Sequence, residues 1–373
     1  MSNILLPQDL NTTLHQCLQL LDSQTSVINN LPHPERSMAY YSIYYKNKIH
    51  LLLLHKEYGG LNASFIHAGT IFETLAYNYY NTLPTLLTTI HCFELIKSFA
   101  DNNKQKWLLN AVTNSQKPLA FCLTEDQAGS DITSIHTTAV KNDNNILING
   151  KKVIVINSGI ASFYLVIAQS SKRGRAGLNA FLIPENADGI QFEKIEVSSF
   201  FHSVIGSVTF NNVKIDPQYQ IGDEGSGYFL LTEMLDKGRP FVAACCVGAA
   251  QRALDIIMNH TKTRKQFSRP LFDFQGISFQ VADFATRLHA ARLLYQDACE
   301  KIDNNEPFTK EASMAKYYAS RLFVDITNFG IDTLGYRSII DTSEMKQLND
   351  FAKTMMFIDG TENVQKMIIA SLI

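Results

Sequence analysis

The chain has 373 residues, of which 46% are hydrophobic and 18% are charged, and its formal net charge is −2. A chain of this length can form two or three domains and bury a large core. The near-neutral charge argues against a general nucleic-acid-binding protein, because there is no excess of Lys and Arg to neutralise phosphates.

The six cysteines and ten histidines show no spacing typical of a disulfide framework or a metal site. We therefore expect no metal, and a reducing cytoplasm is the predicted location. The N-terminus lacks the basic region and apolar core of a secretory signal. No apolar run approaches the ~20 residues that a membrane span needs, so no span is predicted.

The first third of the chain predicts helices. Apolar residues recur at helical spacing from Leu10 to Leu21, and the pattern continues over 68–79 and 83–99. The paired glycines Gly59 and Gly60 predict a turn between helices. We assign residues 1–118 to an all-α N-terminal domain.

From Leu119 onward, short runs of Val, Ile and Phe alternate with turns rich in Asn, Asp and Gly. This rhythm predicts a β domain over residues 119–222, with a hairpin at Asn149-Gly150. Helical periodicity then returns and predicts a helical C-terminal domain over residues 223–373. Its helices are predicted at 238–262, 275–304, 310–334 and 344–357.

The stretch Leu119–Asp131 begins as an apolar strand and turns sharply from Thr124. Such a turn offers backbone N–H groups, two hydroxyls and a glycine that allows a ligand to approach the chain closely. It suits a flat, polar-edged cofactor that carries phosphates. An ordinary strand-to-loop corner has the same appearance, so this stretch alone does not decide between the two.

Taken together and in order, several stretches resemble the acyl-CoA dehydrogenase family over nearly the whole chain. They are His55–Gly60, Leu123–Asp131, Ile148–Asn157, Ile221–Gly227, Asp236–Pro240, Val247–Leu254, Arg264–Leu271, Gln275 and Gly360-Thr361. The resemblance implies an α+β multidomain fold with an N-terminal helical bundle, a middle β-barrel-like domain and a C-terminal four-helix bundle. It also implies bound FAD and a homodimer or homotetramer in which a neighbouring subunit completes the FAD site.

The implied activity is α,β-dehydrogenation of an acyl thioester, carried by CoA or by an acyl-carrier protein. A carboxylate removes the α proton while the β hydrogen leaves as hydride to flavin N5. The electrons then pass to an electron-transfer flavoprotein or to O2. Two alternatives stay open: a flavin oxidase that uses O2 on a carrier-bound or non-thioester substrate, and a non-catalytic subunit of the same fold.

The family places its catalytic Glu immediately before Gly-Thr, and this chain has Asp359 there. Asp withdraws the carboxylate by one C–C bond, ~1.5 Å, and a misplacement of ~1 Å can cost on the order of a hundredfold in rate. Asp359 could be the base for a repositioned substrate, or mark a branch with smaller or more acidic substrates, as in the related nitroalkane oxidases. It could also be a helix-end Asp left after loss of activity. The family's other base position is Gly238 here, so Asp359 is the predicted base.

Further site residues follow from the resemblance by position. The implied FAD contacts are Phe121, Leu123, Thr124, Ser130, Ile154, Ile156, Arg264, Phe267, Gln275, Leu334, Gly335, Thr361 and Asn363. Arg264, Phe267 and Gln275 are expected to reach the FAD of a neighbouring subunit. The implied substrate contacts are Ser130, Asp236 and Arg239. For Arg239 the alternative is a helix-end salt bridge with Asp236.

Two departures from the family pattern affect the flavin. The usual Trp and Thr after the Asn-Gly-x-Lys motif are Ile154 and Ile156 here, which is expected to alter the flavin potential and to open its edge to another acceptor, such as O2. In the loop that holds FAD from the other subunit, Asp332 is unfavourable beside a pyrophosphate unless Arg337 compensates. Tyr336 replaces a glycine in that loop, so the affinity for FAD is in question.

Overall fold

The computed structural model describes residues 4–98 and 106–373, except 171, 173, 198, 200 and 201. The chain divides into two units. The first, called the helical unit below, comprises Met1–Leu6, Ser64–Leu83 and Asp236–Ile373. The second, called the sheet unit, comprises Pro7–Ala63 and Pro84–Leu235. The division into three domains, with boundaries after residues 118 and 222, remains a prediction.

The N-terminal third is helical, as its periodicity predicts. Its helices are α1 (Gln8–Ile28), α2 (Glu35–Lys46), α3 (Phe65–Tyr79), α4 (Leu83–Lys97) and α5 (Lys106–Thr113). The apolar residues of α1 that recur at helical spacing are buried. The predicted turn is present at Gly59, whose φ of 79° favours glycine. At Gly60 a Cβ would lie 2.1 Å from the Leu54 carbonyl oxygen, so no other residue fits there.

A buried carboxylate ties α3 to the C-terminal helices of the helical unit. Glu73 accepts a hydrogen bond from Arg292 Nε at 2.8 Å and one from the Tyr295 hydroxyl at 2.5 Å. All three residues are buried. This pairing explains why α3 groups with helices more than 200 residues further along the chain.

The sheet unit contains one eight-stranded sheet. Its strands are β1 (Leu119–Cys122), β2 (Thr138–Asn142), β3 (Asn145–Ile156), β4 (Phe163–Gln169), β5 (Leu178–Pro184), β6 (Ile190–Lys194), β7 (Ile205–Ile215) and β8 (Gln220–Ile221). The strand order is β6-β7-β3-β2-β4-β5-β8, and β1 pairs in parallel with β4. Alternate residues of β4 and β5 belong to two different apolar clusters, so these central strands are buried on both faces.

The predicted hairpin at Asn149-Gly150 is wrong. These residues lie inside the continuous strand β3, where a register shift against β7 occurs between Ile148 and Gly150. The hairpin instead joins β2 to β3 through Asp143-Asn144, and Asn142 pairs with Asn145 across that turn. Gly150 is needed for close packing, since a Cβ there would lie 2.4 Å from Thr137 Oγ1.

The C-terminal part is helical. Its elements are α6 (Gly227–Thr263), the short hairpin β9 (Lys265–Gln266) and β10 (Arg269–Pro270), α7 (Gln275–Asp303), α8 (Thr309–Leu334), α9 (Glu344–Met355) and α10 (Glu362–Ser371). Helix α8 packs against α7, α9 and α10. The predicted bounds agree for α7, α8 and α9 within about two residues. Helix α6 begins 11 residues earlier than predicted because Pro240, which suggests a helix start, lies inside it. The sequence did not predict α10.

Helix α6 bears on the expectation that the chain has no membrane span. By length and composition alone it is long and apolar enough to cross a membrane. The most apolar stretch of this helix is mostly buried inside the protein, which favours its interpretation as a core helix. The adjacent Cys245 and Cys246 of α6 are fully buried free thiols, as expected for small core residues.

Candidate active site

The predicted cofactor corner in the sheet unit starts where β1 ends. Glu125 and Ala128 bond to each other through their backbones, at 2.9 and 3.1 Å, and close a tight turn. Asp131 accepts hydrogen bonds from the backbone and hydroxyl of Thr133, at 3.1 and 2.6 Å, and one from Ser134. Glu125 and Asp131 therefore shape the turn, while the hydroxyl-bearing Thr124 and Ser130 are at least partly exposed.

A buried ion pair anchors this corner to strand β3. Glu125 Oε1 lies 2.8 Å from Lys152 Nζ, and Lys152 also donates to the Leu123 carbonyl at 2.8 Å. Glu125 further accepts from the backbones of His136 and Thr137 at 2.6 and 2.9 Å. Although burial alone raises it, Lys152 and these hydrogen bonds lower the pKa of the Glu125 carboxyl to about 2. The role of this pair was not predicted from the sequence. The feature that could have indicated it is a Lys within an apolar strand.

Ile154 lies next to the same corner in a left-handed conformation. Its φ is 53°, at a register shift of β3 between Lys152 and Val155. A β-branched residue in this region is an outlier, with a conformational cost of about 1–2 kcal/mol. The neighbouring Val153 N–H bonds to the Thr124 carbonyl at 2.8 Å, and the Ile154 side chain is 52% exposed. An apolar, accessible side chain thus lies beside the corner, and Ile156 is half-buried in the same strand.

In the helical unit, Arg239 lies in the middle of α6 rather than at a helix end. It pairs with Asp236 and donates to Ser313 Oγ at 3.3 Å and to the Asp359 carbonyl at 3.4 Å. Thr309 donates to the other Asp236 oxygen at 2.8 Å. The Asp236–Arg239 pair of the alternative interpretation is therefore present, although it lies within α6 and not at a helix end. The predicted substrate contact of Arg239 stays a prediction. Burial lowers the pKa of Arg239, while Asp236 and Asp359 oppose that shift.

Asp359 lies on the short segment that joins α9 to α10. Asp359 and Gly360 both have left-handed backbones, with φ of 54° and 100°. Gln365 Nε2 donates to the Asp359 and Gly360 carbonyls at 3.0 and 3.2 Å. A Cβ at position 360 would lie 2.8 Å from Gln365 Nε2, so local packing favours the glycine of this motif. The Asp359 residue is partly buried.

Lys316 on α8 is a residue of this site that the sequence reasoning missed. It is fully buried, and its Nζ donates to the Met356 carbonyl at 2.8 Å and to the Gly360 carbonyl at 2.6 Å. Burial lowers the pKa of Lys316 to about 8. The sequence feature that could have indicated it is a lone Lys on the helix face that carries Ala312, Ala315 and Ala319.

The remaining predicted residues of the helical unit lie at the ends of its elements. Arg264 follows α6, Phe267 is at the tip of the β9–β10 hairpin with 88% of its surface exposed, and Gln275 begins α7. Leu334 ends α8, followed by Gly335 with φ of 61°. Thr361 caps the N-terminus of α10 by accepting from the Val364 N–H at 3.4 Å, and the exposed Asn363 lies in the first turn.

Asp332 and Tyr336 in the same loop are both exposed. The Arg337 guanidinium lies 5.0 Å from the centre of the Tyr336 ring. That contact is a cation–π interaction. Compensation of Asp332 by Arg337 stays a prediction.

Comparison with known proteins identifies the family. The middle domain of acyl-CoA dehydrogenases matches residues 120–213, and their C-terminal domain matches residues 225–373. The chain belongs to the acyl-CoA dehydrogenase family. This confirms the resemblance found in the sequence and the predicted fold class. Like its relatives, it is a flavoprotein oxidoreductase that acts on CH–CH groups.

Individual relatives show how far the similarity extends. The 3-(aryl)acrylate reductase of Clostridium sporogenes is 33% identical, over 85% of each chain. The caffeyl-CoA reductase–Etf complex subunit CarC of Acetobacterium woodii is 32% identical, over 75% of this chain and 74% of that protein. The solved structure of butyryl-CoA dehydrogenase from Megasphaera elsdenii is 27% identical and covers 100% of this chain and 99% of that one, with a TM-score of 0.91.

The residues at the family's FAD positions are chemically suited to that cofactor. None of the thirteen predicted contact residues is buried, so all are accessible in this chain. Thr124, Ser130 and Thr361 offer hydroxyl groups, Arg264 offers a cation suited to a pyrophosphate, and Phe267 and Ile154 offer exposed apolar surface. The residues present therefore fit FAD. The individual contacts remain predictions.

Proposed function

We propose that the chain catalyses FAD-dependent α,β-dehydrogenation of an acyl thioester, with Asp359 as the base. The observation that supports this most strongly is the Asp359 segment. Three side chains from three helices, Arg239, Lys316 and Gln365, donate hydrogen bonds to the backbone carbonyls at and beside this carboxylate. A general base must be held accurately, because small displacements reduce proton-transfer rates strongly.

In this proposal the Asp359 carboxylate takes the α proton of the acyl group. Since that proton is a poor acid, the developing enolate oxygen needs hydrogen-bond donors already in place. The chain's own donor is a backbone N–H beside Asp359. Asp236 and Arg239 line the thioester end of the substrate, and Ser130 contacts its pantetheine part. FAD, when bound, supplies the acceptor for the β hydrogen, taken as hydride at N5.

We assign the holding of FAD to two groups of residues. The corner residues Phe121, Leu123, Thr124 and Ser130, with Ile154 and Ile156, contact the flavin. The second group contacts the rest of the cofactor, in part from a neighbouring subunit: Arg264, Phe267, Gln275, Leu334, Gly335, Thr361 and Asn363. A homodimer or homotetramer and a cytoplasmic location belong to the same proposal.

The names of the relatives leave two directions of reaction. One is named as a 3-(aryl)acrylate reductase and one as a subunit of a caffeyl-CoA reductase complex, and the structural neighbour is named as a butyryl-CoA dehydrogenase. The two names that contain CoA support a thioester substrate. One relative is a subunit of a complex with an electron-transfer flavoprotein. We propose acyl-CoA or acyl-carrier protein as substrate carrier and an electron-transfer flavoprotein as electron partner.

The test is anaerobic reduction of the bound flavin by butyryl-CoA, octanoyl-CoA and 3-phenylpropanoyl-CoA, followed by visible absorbance. We expect at least one to bleach the wild-type flavin. Asp359→Asn should lower the rate about 10²–10⁴-fold with flavin content unchanged, since that is the usual contribution of a positioned general base. Asp341→Asn is the control, because the Asp341 side chain is 97% exposed, and it should reduce at the wild-type rate. A wild-type rate in Asp359→Asn would refute Asp359 as the base.

A second candidate, a flavin oxidase that uses O2, is favoured by the accessible Ile154. The family's Trp and Thr are replaced by Ile154 and Ile156, and the Ile154 side chain is half exposed beside the corner. Hydrogen peroxide released in stoichiometric amounts during turnover in air would favour the oxidase, and its absence would exclude it. A protein that stays colourless after FAD is supplied would instead favour the non-catalytic subunit.

A further inference from the structure

The segment Met356–Gly360 is held to the helical unit by a small set of buried donors. Lys316 bonds to the carbonyls at both ends of the segment, at Met356 and Gly360. Gln365 also donates to the Gly360 carbonyl, and to that of Asp359. Lys316 and Gln365 are both fully buried. Lys316 is the donor that spans the segment, because its two acceptors lie four residues apart.

This segment needs such donors because its backbone is in an uncommon conformation. Two consecutive left-handed residues, Asp359 and Gly360, make the turn between α9 and α10. A non-glycine residue in this region persists only when surrounding structure determines it. Without Lys316, the hydrogen bond to the Met356 carbonyl would be lost, and the Gly360 carbonyl would keep only its hydrogen bond from Gln365. The turn would then relax, and the Asp359 carboxylate would move with it.

A buried lysine at this position destabilises the fold, which indicates a role beyond packing. Burying an ammonium group costs several kcal/mol unless it is well compensated, and an apolar side chain of similar length could fill the same volume. What an apolar side chain cannot do is donate charge-assisted hydrogen bonds, which are shorter and stronger than neutral ones. The bonds of 2.8 and 2.6 Å to the two carbonyls are of this kind.

We propose that Lys316 is a positioning residue that fixes the backbone of the Met356–Gly360 segment and so places the Asp359 carboxylate for proton abstraction. The catalytic part of this statement rests on the proposed function, in which Asp359 is the base. Lys316 itself touches the segment's carbonyl oxygens and acts on the reaction through Asp359. A chain that uses Asp where the family has Glu has a shorter reach, so accurate placement of its backbone matters more.

The charges around Lys316 are consistent with this role. Burial has the largest influence on the pKa of Lys316 and lowers it, and Arg239 on α6 adds to that effect. Cys246 on α6, Asp359 on the segment and Glu362 on α10 oppose it. With a pKa of about 8, Lys316 is mostly protonated at neutral pH and provides the charge-assisted form of both hydrogen bonds.

The first measurement needs no substrate. Hydrogen–deuterium exchange of the peptide covering residues 356–361 is compared in the full-length wild type, in Lys316→Met and in Lys366→Met. Methionine keeps an unbranched apolar side chain and removes the donor. Lys366 is the matched control, because it is a half-exposed lysine on the adjacent α10 that pairs with Glu362 at 2.6 Å. We expect exchange of this peptide to rise roughly tenfold or more in Lys316→Met alone, as expected for loss of local structure. Unchanged exchange would overturn the proposal.

The second measurement separates positioning from stability. In anaerobic flavin reduction by the most active of the three acyl-CoAs, Lys316→Met should lower the limiting rate roughly ten- to a hundredfold, the range for a displacement of ~1 Å. The substrate concentration at half saturation and the flavin content should stay unchanged. A general loss of folding would instead reduce flavin content, and a limiting rate within twofold of wild type would overturn the proposal.

The third measurement distinguishes failure of this inference from failure of the proposed function. In the Asp359→Asn background, Lys316→Met should cause no further loss of rate, because Lys316 acts through Asp359. A full additional loss would show that Lys316 acts elsewhere. If Asp359→Asn itself reduces at the wild-type rate, the base assignment fails, while the exchange result still decides whether Lys316 holds the segment. Should Lys316→Met not fold, Lys316→Gln keeps a polar side chain of shorter reach that cannot donate to both carbonyls, and wild-type exchange and rate in that variant would overturn the proposal.

Discussion

Two buried lysines hold the two segments that carry the proposed site, and they do so in different ways. In the sheet unit, Lys152 donates to the Leu123 carbonyl of the cofactor corner and pairs with Glu125 at 2.8 Å. In the helical unit, Lys316 donates to the Met356 and Gly360 carbonyls of the Asp359 segment. Both side chains are fully buried. The difference is the partner: a carboxylate in one case, and neutral carbonyl oxygens in the other.

The partner determines how each lysine responds to change. A buried ammonium beside a buried carboxylate is compensated in charge, so removing either partner leaves the other uncompensated. A buried ammonium with carbonyl partners donates its hydrogen bonds only to dipoles. Burial lowers the pKa of both lysines, that of Lys316 to about 8, and the Glu125 carboxylate opposes the shift at Lys152. The sheet corner is therefore sensitive to loss of a charge partner, whereas the Asp359 segment is sensitive to loss of a hydrogen-bond donor.

The largest effect is expected from Glu125→Gln, which leaves the Lys152 ammonium buried without its carboxylate. Breaking one side of a buried ion pair typically costs about 3–5 kcal/mol. We expect a loss of this size in the free energy of unfolding, measured by chemical denaturation at pH 7. If the free energy of unfolding of the flavin-free variant lies within about 1 kcal/mol of the flavin-free wild type, the ion pair is not needed to anchor the corner.

Two controls sharpen that result. The double variant Glu125→Leu/Lys152→Met removes both charges and should recover much of the loss, because no uncompensated charge remains. Since the pKa of Glu125 is depressed to about 2 in the folded state, its contribution is present above its ordinary value of 4.5 and is lost as pH falls towards 2. The difference between wild type and Glu125→Gln should therefore shrink over that acidic range.

A smaller loss is expected from Lys316→Met. The variant leaves the Met356 and Gly360 carbonyls with fewer donors, which costs about 1–3 kcal/mol for a buried polar group, and removal of the buried charge offsets part of this loss. Chemical denaturation at pH 7 should therefore show a smaller destabilisation than for Glu125→Gln. A destabilisation by Lys316→Met that equals or exceeds that of Glu125→Gln would contradict the difference between carboxylate and carbonyl partners.

The pH dependence of stability in the alkaline range should report on the ionisation of Lys316. The folded-state pKa of Lys316 is lowered to about 8 from an ordinary 10.5. Between these values the unfolded chain binds more protons than the folded one, so stability rises with pH. We expect the gap in unfolding free energy between wild type and Lys316→Met to widen in favour of wild type from pH 8 to 10.5. A gap that stays constant would contradict the lowered pKa.

The smallest effect is expected from Lys366→Met. Lys366 pairs with Glu362 at 2.6 Å, but its side chain is 48% exposed, and exposed ion pairs contribute little because water and salt screen them. Unfolding midpoint and flavin-reduction rate should both match wild type. A clear loss in either would indicate that the start of α10, rather than Lys316, controls the Asp359 segment.

The sequence by itself determined the order of the architecture and the place of the proposed base. Helical and strand periodicities are local, so the helical, β and helical regions could be predicted from one sequence. The positions of Asp359, Arg239 and the Thr124–Ser130 corner followed from motifs that are continuous in the chain. Asp236 and Arg239 are three residues apart, which is the spacing of neighbours on a helix, so their pairing was also predictable.

The tertiary structure decided what depends on residues far apart in the chain. Asn149-Gly150 has the local composition of a hairpin, yet pairing of β3 with β7 keeps the strand continuous. Lys152 reaches the corner across 27 residues, and Lys316 reaches the Asp359 segment across 40 and 44 residues. No local pattern encodes such contacts, because burial and hydrogen-bond partners are fixed only when the helices and strands pack. The positions of the chemical groups were thus readable from the sequence, and the groups that hold them in place became visible only in the folded chain.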